Sequence, residues 1–182
     1  MMIFISGAVR SGKSSLGERL VLGHGGRPVY LATSQVYDEE MVKRIEHHRH
    51  HRAGKGFVTL EKTSDIGSIA SRLLPDDAVL LDCLGTLAAN EMFGKPDAEE
   101  AAGTMDALYH KVLSEIEQVN RAVSLLVVVS NELFSDGVTY DGMTESYLLL
   151  MGRLHRALAV SADAAVECAA GCVITHKGSI SS

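Results

Sequence analysis

A chain of 182 residues with 46% apolar residues and a formal net charge of −6 is long enough for one domain with a sizeable core, and too acidic for a protein whose main task is to grip nucleic acid. Its cysteines are too few for a disulfide framework, and its apolar runs are too short to span a membrane. No signal-like basic segment precedes the first predicted strand, so we expect a protein of the reducing cytoplasm.

Strand-like apolar runs alternate with helical stretches along the chain. This alternation is typical of an α/β fold in which helices cover both faces of a mostly parallel sheet. We therefore predict a three-layer α/β architecture, with residues 1–182 as a single domain and the 57–61 strand at an edge. The predicted strands are 2–6, 28–33, 57–61, 78–82, 123–129, 164–167 and 172–175, and the predicted helices are 15–21, 38–52, 64–74 (capped by Ser64 or Asp65), 84–93, 98–120 and 144–160.

The first predicted strand leads into a phosphate-binding motif. Residues 7–14 fit G-x-x-x-x-G-K-[ST] at every specified position, between a strand and a helix as the motif requires. Successive backbone N–H groups in such a loop surround an anion, Lys13 places a positive charge on the β- and γ-phosphates, and the Ser14 hydroxyl can ligate Mg²⁺. The motif thus predicts a P-loop NTPase fold. The predicted nucleotide-binding residues begin with Gly7, Ala8, Val9, Arg10, Ser11, Gly12, Lys13 and Ser14.

Polar residues follow several of the predicted strands where each strand ends. Asp82 closes an apolar strand, as does the acidic residue that holds Mg²⁺ in P-loop proteins. Because the carboxyl ends of parallel strands meet at one edge of the sheet, we place Thr33, Ser34 and Glu132 at the same ligand crevice. Glu132 is a candidate for orienting a substrate hydroxyl. We add Thr33, Ser34, Glu61 and Asp82 to the nucleotide-binding residues, and assign Ser14 and Asp82 to the metal.

An unusual cluster of histidines and arginines occupies residues 44–52. One interpretation is a solvated basic helix face. A second is a metal site, since His47 and His51 are four residues apart on one helical face. A third is a nucleophilic histidine, whose neutral imidazole attacks a phosphorus centre while neighbouring arginines offset the phosphate charge. The chemistry of these residues does not choose among the three.

A resemblance to a known family favours the third interpretation, a nucleophilic histidine. The segments MMIFISGAVRSGKS, YLATSQ, DEEMVKRIEHH, DDAVLLDCLGT and VSNE follow one another in order. Together they resemble the adenosylcobinamide kinase / adenosylcobinamide-phosphate guanylyltransferase family of cobalamin biosynthesis.

The resemblance implies a bifunctional enzyme. Such an enzyme phosphorylates adenosylcobinamide with GTP or ATP, then transfers GMP from GTP through a histidine to give adenosylcobinamide-GDP. It implies that His47 is the guanylylated residue and that the chain forms a homotrimer. From the motifs we add Lys13 and Glu132 as further catalytic residues. The expected partners are GTP or ATP with Mg²⁺, adenosylcobinamide and its phosphate, and no nucleic acid.

The chain departs from the family pattern after Glu132. The usual segment with several arginines is absent, and His155-Arg156 stands where Asn-Gln is usual, although Gly152-Arg153 still matches. A divergent branch of the family and a weakened grip on the corrinoid phosphate both explain this. Two other functions also compete with the one that the resemblance implies: a P-loop small-molecule kinase without guanylyl transfer, and a non-enzymatic nucleotide-binding module.

Overall fold

The apolar runs of the sequence form the strands of one sheet. The computed structural model describes residues 1–34, 54–94, 105–134 and 142–180. The central strands are rich in Val, Ile and Leu and buried, as expected where helices cover both faces of a sheet. The strands are β1 (Met2–Gly7), β2 (Arg27–Ala32), β3 (Val58–Glu61), β4 (Asp77–Asp82), β5 (Leu125–Asn131), β6 (Ala164–Ala169) and β7 (Cys172–Lys177).

The helices also follow the predicted pattern. The predicted 84–93 helix is confirmed at the same bounds, while the predicted 38–52 helix and residues 98–104 of another lie outside the described residues. In the part of the chain that is described, no helix has the length and apolar character that a membrane crossing demands. The helices are α1 (Lys13–Gly23), a 3₁₀ helix (Ile66–Arg72), α2 (Leu84–Phe93), α3 (Met105–Ala122) and α4 (Gly142–Ser161).

The sheet has the order β3-β2-β4-β5-β1-β6-β7. Its neighbouring strands run parallel except for the β6–β7 hairpin, which is antiparallel. The predicted mostly parallel α/β sheet and the edge position of the 57–61 strand are therefore confirmed. The strand that leads into the phosphate-binding motif, β1, is separated by one strand, β5, from the strand that ends at Asp82, β4.

Two apolar clusters lie on opposite faces of the sheet. One face packs against the 3₁₀ helix, α2, α3 and α4, with Phe4, Leu81 and Val128 among its strand residues. The other face packs against α1, with Ile5 and Val129 as strand residues. Neighbouring strand residues thus alternate between the two clusters, as the period of a strand dictates. The predicted three-layer architecture is confirmed.

The predicted helix over 64–74 is corrected to the shorter 3₁₀ helix. Asp65 has the left-handed φ of 53° and makes no side-chain cap. The backbone N–H of Asp65 donates to Glu91 Oε1 at 2.6 Å, and that of Ile66 donates to Glu115 Oε2 at 3.0 Å. Lys111 bridges both carboxylates. The helix start is therefore capped by α2 and α3, which local sequence patterns do not show.

Strand β4 begins one residue before the predicted 78–82 strand, at Asp77, whose N–H also closes a turn by donating to the Leu74 carbonyl at 2.9 Å. Its fully buried carboxylate accepts hydrogen bonds from Arg27 Nε at 2.7 Å and Nη2 at 2.8 Å. Arg27 is the register partner of Asp77 in the adjacent β2. A bidentate arginine–carboxylate pair has a fixed geometry, so this pair aligns β2 with β4.

Candidate active site

The phosphate-binding motif forms a tight loop between β1 and α1. The Ser11 N–H donates to the Ala8 carbonyl at 3.2 Å, and Gly12 caps α1 with a φ of 95°. That φ lies in the left-handed region, which glycine adopts at no steric cost. Ala8, Val9 and Arg10 are exposed. The loop therefore presents its backbone to solvent at the N-terminus of α1, where the helix dipole favours an anion.

Gly7 is required by packing as well as by the motif. A Cβ at this position would lie 2.4 Å from the Cys168 carbonyl oxygen and 2.7 Å from Ser11 Oγ. Cys168 belongs to β6, the strand beside β1. The loop is therefore seated tightly against β6, and no larger residue fits at position 7 without displacing backbone.

Lys13 holds its ammonium group against the loop. The side chain is buried, and Nζ donates to the Ala8 carbonyl at 2.9 Å. Burial lowers the pKa of Lys13, while Cys83, Asp82 and Cys168 act in the opposite direction. The lysine is thus fixed at the loop with a partly desolvated charge, which strengthens its attraction for a phosphate.

Asp82 stands at the carboxyl end of β4, near enough to influence the pKa of Lys13. Its half-buried carboxylate accepts a hydrogen bond from the Tyr30 hydroxyl at 3.0 Å. Tyr30 comes from the neighbouring β2 and faces the same cluster as α1. The structure therefore brings Asp82 and Lys13 to one edge of the sheet, as the sequence predicts.

The Thr33 side chain contacts the protein interior rather than the surface where a ligand would bind. Its side chain is fully buried, and its hydroxyl exchanges two hydrogen bonds of 2.9 Å with the backbone of Cys83. Asn90 Nδ2 donates to the Thr33 carbonyl at 2.8 Å. Thr33 therefore ties the end of β2 to the end of β4, while the half-buried Ser34 follows as the last described residue before the gap.

Glu132 lies directly beside the loop. Its N–H donates to the Gly7 carbonyl at 2.9 Å, and its Oε1 accepts from the Phe134 N–H at 2.7 Å. Glu61 ends β3 in an exposed position, and its register partner Ala32 pairs in turn with Asp82. The strand ends thus align Glu61, Asp82 and Glu132 along one edge, whereas His47 lies outside the described residues.

The sequence shows His155 only as a departure from the family pattern, and it does not predict that the ring lies between Phe4 and Phe134. The His155 ring packs edge-on against Phe4 at 5.1 Å and Phe134 at 5.4 Å between ring centroids. Its Nε2 is 2.7 Å from Ser130 Oγ. Because Phe134 orients Glu132, His155 supports the turn that places Glu132. No local signal links positions 130 and 155, since only the packing of α4 on the sheet joins them.

We expect His155 to make folding stability depend on pH. Burial lowers its pKa to about 4, although the Glu132 charge raises it. The unfolded chain binds a proton on this imidazole near its ordinary pKa of 6.5, and the folded chain does not, so stability falls as the pH drops below that value. Between pH 7 and pH 5 this group costs the folded state about 2 kcal/mol.

The His155→Gln variant tests this expectation, since its amide can still reach Ser130. In urea unfolding at pH 7 and pH 5, the unmodified protein should lose about 2 kcal/mol more than the variant does. His110→Gln, an exposed position on α3, is the matched control and should keep the full pH dependence. An equal loss of stability in all three proteins would contradict the expectation.

The phosphate-binding loop, the mostly parallel sheet, and Asp82 at the end of a strand separated from β1 by β5 together define a P-loop NTPase fold. The chain belongs to the cobinamide kinase / cobinamide phosphate guanyltransferase family, whose model matches residues 3–176. The resemblance stated from the sequence is thereby confirmed.

Curated relatives cover nearly the whole chain. The bifunctional adenosylcobalamin biosynthesis protein CobU of Salmonella typhimurium is 34% identical over 90% of this chain and 92% of that protein. The Escherichia coli protein of the same name is 32% identical over the same shares. The bifunctional protein CobP of Pseudomonas aeruginosa is 30% identical over 98% of both chains. Among solved structures, the chain is similar to the RadB recombinase, at 17% identity and a TM-score of 0.48 over 91% of this chain and 73% of that chain.

Proposed function

We propose that this protein carries out two successive reactions on a corrinoid. It phosphorylates the aminopropanol hydroxyl of adenosylcobinamide with GTP or ATP, and it then transfers GMP from GTP to that phosphate, giving adenosylcobinamide-GDP. The observation that carries the proposal is the placement of Lys13, Asp82 and Glu132 around one phosphate-binding loop, in a chain of this family.

The kinase step depends mainly on position and charge. Lys13 and the backbone N–H groups of the loop hold the β- and γ-phosphates and offset the charge that develops as the γ-phosphoryl group leaves. Glu132 is fixed beside Gly7 and is oriented through the Phe134 N–H. We assign Glu132 to hold the substrate hydroxyl by accepting its hydrogen bond, which places the nucleophile for an in-line attack.

Ser14 and Asp82 would hold Mg²⁺. A hydroxyl and a carboxylate are oxygen ligands of the kind that Mg²⁺ prefers, and the remaining positions would be taken by water and phosphate. The half-buried Ser14 follows Lys13 in the first turn of α1, on the loop that receives the phosphates. The bound ion would neutralise charge on the β- and γ-phosphate oxygens.

We assign guanylyl transfer to His47. Its neutral imidazole nitrogen attacks the α-phosphorus of GTP, a P–N bond forms, and the bond to the leaving pyrophosphate breaks. A phosphate oxygen of adenosylcobinamide phosphate then attacks the same phosphorus and releases the histidine. Arg44, Arg49 and Arg52 are close in sequence and would offset the phosphate charge.

The proposal also includes the domain organisation, the oligomeric state and the cellular compartment of the protein. We propose that residues 1–182 act as one domain, and the single sheet that the described strands form supports this. We carry over from the family resemblance a homotrimer with active sites between subunits. A place in the reducing cytoplasm is supported by the three cysteines, which are all free thiols. We keep Ser34 and Glu61 in the proposed nucleotide site, and we assign Thr33 to hold the strand end that carries Ser34.

A product assay tests the proposed function. The protein is incubated with adenosylcobinamide, Mg²⁺ and either ATP or GTP, and the corrinoids are separated and identified by mass spectrometry. We expect the phosphate ester with either nucleotide or with GTP alone, and adenosylcobinamide-GDP whenever GTP is present. Accumulation of the phosphate ester without the GDP product would contradict the second half of the proposal. Absence of both products would contradict the whole.

A further inference from the structure

A cleft of about 430 Å³ lies beside the phosphate-binding loop, between α1 and the β6–β7 hairpin. Its walls include Ser11 and Gly12 of the loop, Ser15 and Leu22 of α1, and Val173 of β7. The volume is within the range of pockets that hold small molecules. Since two loop residues line the cleft, a phosphate chain bound in the loop can continue into it.

The buried hydroxyl of Ser11 is evidence for a ligand in this cleft. The residue is only 8% exposed, and Ser11 Oγ is buried with no hydrogen-bond partner among the described residues. Buried polar groups are nearly always hydrogen-bonded, because an unpaired one loses its water without compensation. A ribose hydroxyl or a phosphate oxygen in the cleft would supply the missing partner once the Ser11 side chain rotates toward it.

The side walls suit a nucleoside. Leu22 and Val173 are apolar residues that remain 39% and 41% exposed although both line the cleft. Apolar side chains on two walls provide the surfaces that a flat aromatic base covers. Arg19 and the Lys55–Glu18 ion pair at 2.8 Å supply charged groups at the same cleft.

The sheet order sets the direction of a bound triphosphate. Asp82 ends β4 and Glu132 follows β5, on one side of β1, whereas Cys168, Gly171 and Val173 bring β6, β7 and their turn to the cleft from the other side. The γ-phosphate must face Asp82 and Glu132 in the proposed kinase step. The nucleoside end of the phosphoryl donor then extends away from them, across the loop and toward β6.

We propose that the cleft between α1 and the β6–β7 hairpin binds the base and ribose of the nucleoside triphosphate that donates the γ-phosphate. This inference rests on the proposed kinase function, and it adds a nucleoside site on the opposite side of the loop from Thr33, Ser34 and Glu61. The two reactions would then use the same phosphate-binding loop, with the nucleoside of each nucleotide on a different side of it.

The test compares a nucleotide with its phosphates alone. Binding of the non-hydrolysable ATP analogue AMPPNP and of inorganic triphosphate, both with Mg²⁺, is measured by calorimetry. In Val173→Trp the indole fills the cleft, so we expect AMPPNP to bind at least about tenfold more weakly while triphosphate binds within about twofold of its original affinity. Leu22→Glu, on the α1 wall, should reproduce this selective loss.

Ile174→Trp is the matched control. Ile174 is 45% exposed on the same edge strand and, as the adjacent residue, faces the other side of the sheet. It should leave both affinities unchanged. The inference is overturned if Val173→Trp binds AMPPNP normally, if it weakens both ligands equally, or if AMPPNP binds the unmodified protein no more tightly than triphosphate does. Failure of both ligands to bind the unmodified protein would overturn the proposed function together with it.

Discussion

Replacing Lys13 by alanine is expected to lower the turnover of nucleoside triphosphate by about 10³-fold or more in both reactions. The ammonium group is buried and held at the loop by the Ala8 carbonyl, so no other described side chain stands in its position. Removing it takes away the positive charge on the β- and γ-phosphates. Since the burial of this charge costs the folded state, the variant should keep its stability.

The control for Lys13 is Arg121→Ala. Arg121 is exposed near the end of α3 and pairs with Glu117 at 3.8 Å, so the substitution changes the net charge equally and leaves the loop untouched. Its turnover should equal that of the unmodified protein. The steady-state rate of phosphoryl transfer, with circular dichroism as the check on folding, measures the effect. A folded Lys13→Ala variant that retains turnover within about tenfold would contradict the assigned role.

Replacing His47 by alanine is expected to separate the two activities. Guanylyl transfer should fall by about 10³-fold or more, because the covalent route through the imidazole is lost. Phosphorylation of adenosylcobinamide should stay within about threefold, since that step uses the loop, Lys13 and Glu132 instead. Separate rates for the phosphate ester and for the GDP product, each started from its own substrate, make the comparison.

The adjacent histidine provides the control for this separation. His48→Ala removes an imidazole from the same cluster and should leave both rates close to those of the unmodified protein. Equal loss of the two activities in His47→Ala would point to a general role in nucleotide binding. Unchanged guanylyl transfer would assign the nucleophile elsewhere.

Much of the fold could be predicted because apolar periodicity and the P-loop context are local signals. The run at 78–82 and the alternation of strands and helices give the parallel sheet directly. Capping and strand starts are set by distant partners instead. Glu91 and Glu115 cap a 3₁₀ helix from other elements, and Arg27 of β2 pairs with Asp77 at the start of β4.

The candidate site was predictable to the same extent. Residues at strand ends converge because parallel strands end at one edge, and this rule places Asp82 and Glu132 correctly beside the loop. The rule does not show whether a side chain at a strand end contacts a ligand or the protein itself. The role of Thr33 in joining β2 to β4 is therefore visible only from its hydrogen bonds. His155 and the cleft beside Val173 depend on packing between distant segments.

The central claim is that a histidine carries GMP between two substrates. The direct measurement is to incubate the protein with GTP labelled at the α-phosphate and Mg²⁺, without corrinoid, and to isolate the denatured chain. We predict a labelled adduct on His47 that acid releases and alkali preserves, as a P–N bond requires, and that is absent from His47→Ala. A protein that phosphorylates adenosylcobinamide but forms no such adduct would contradict the claim.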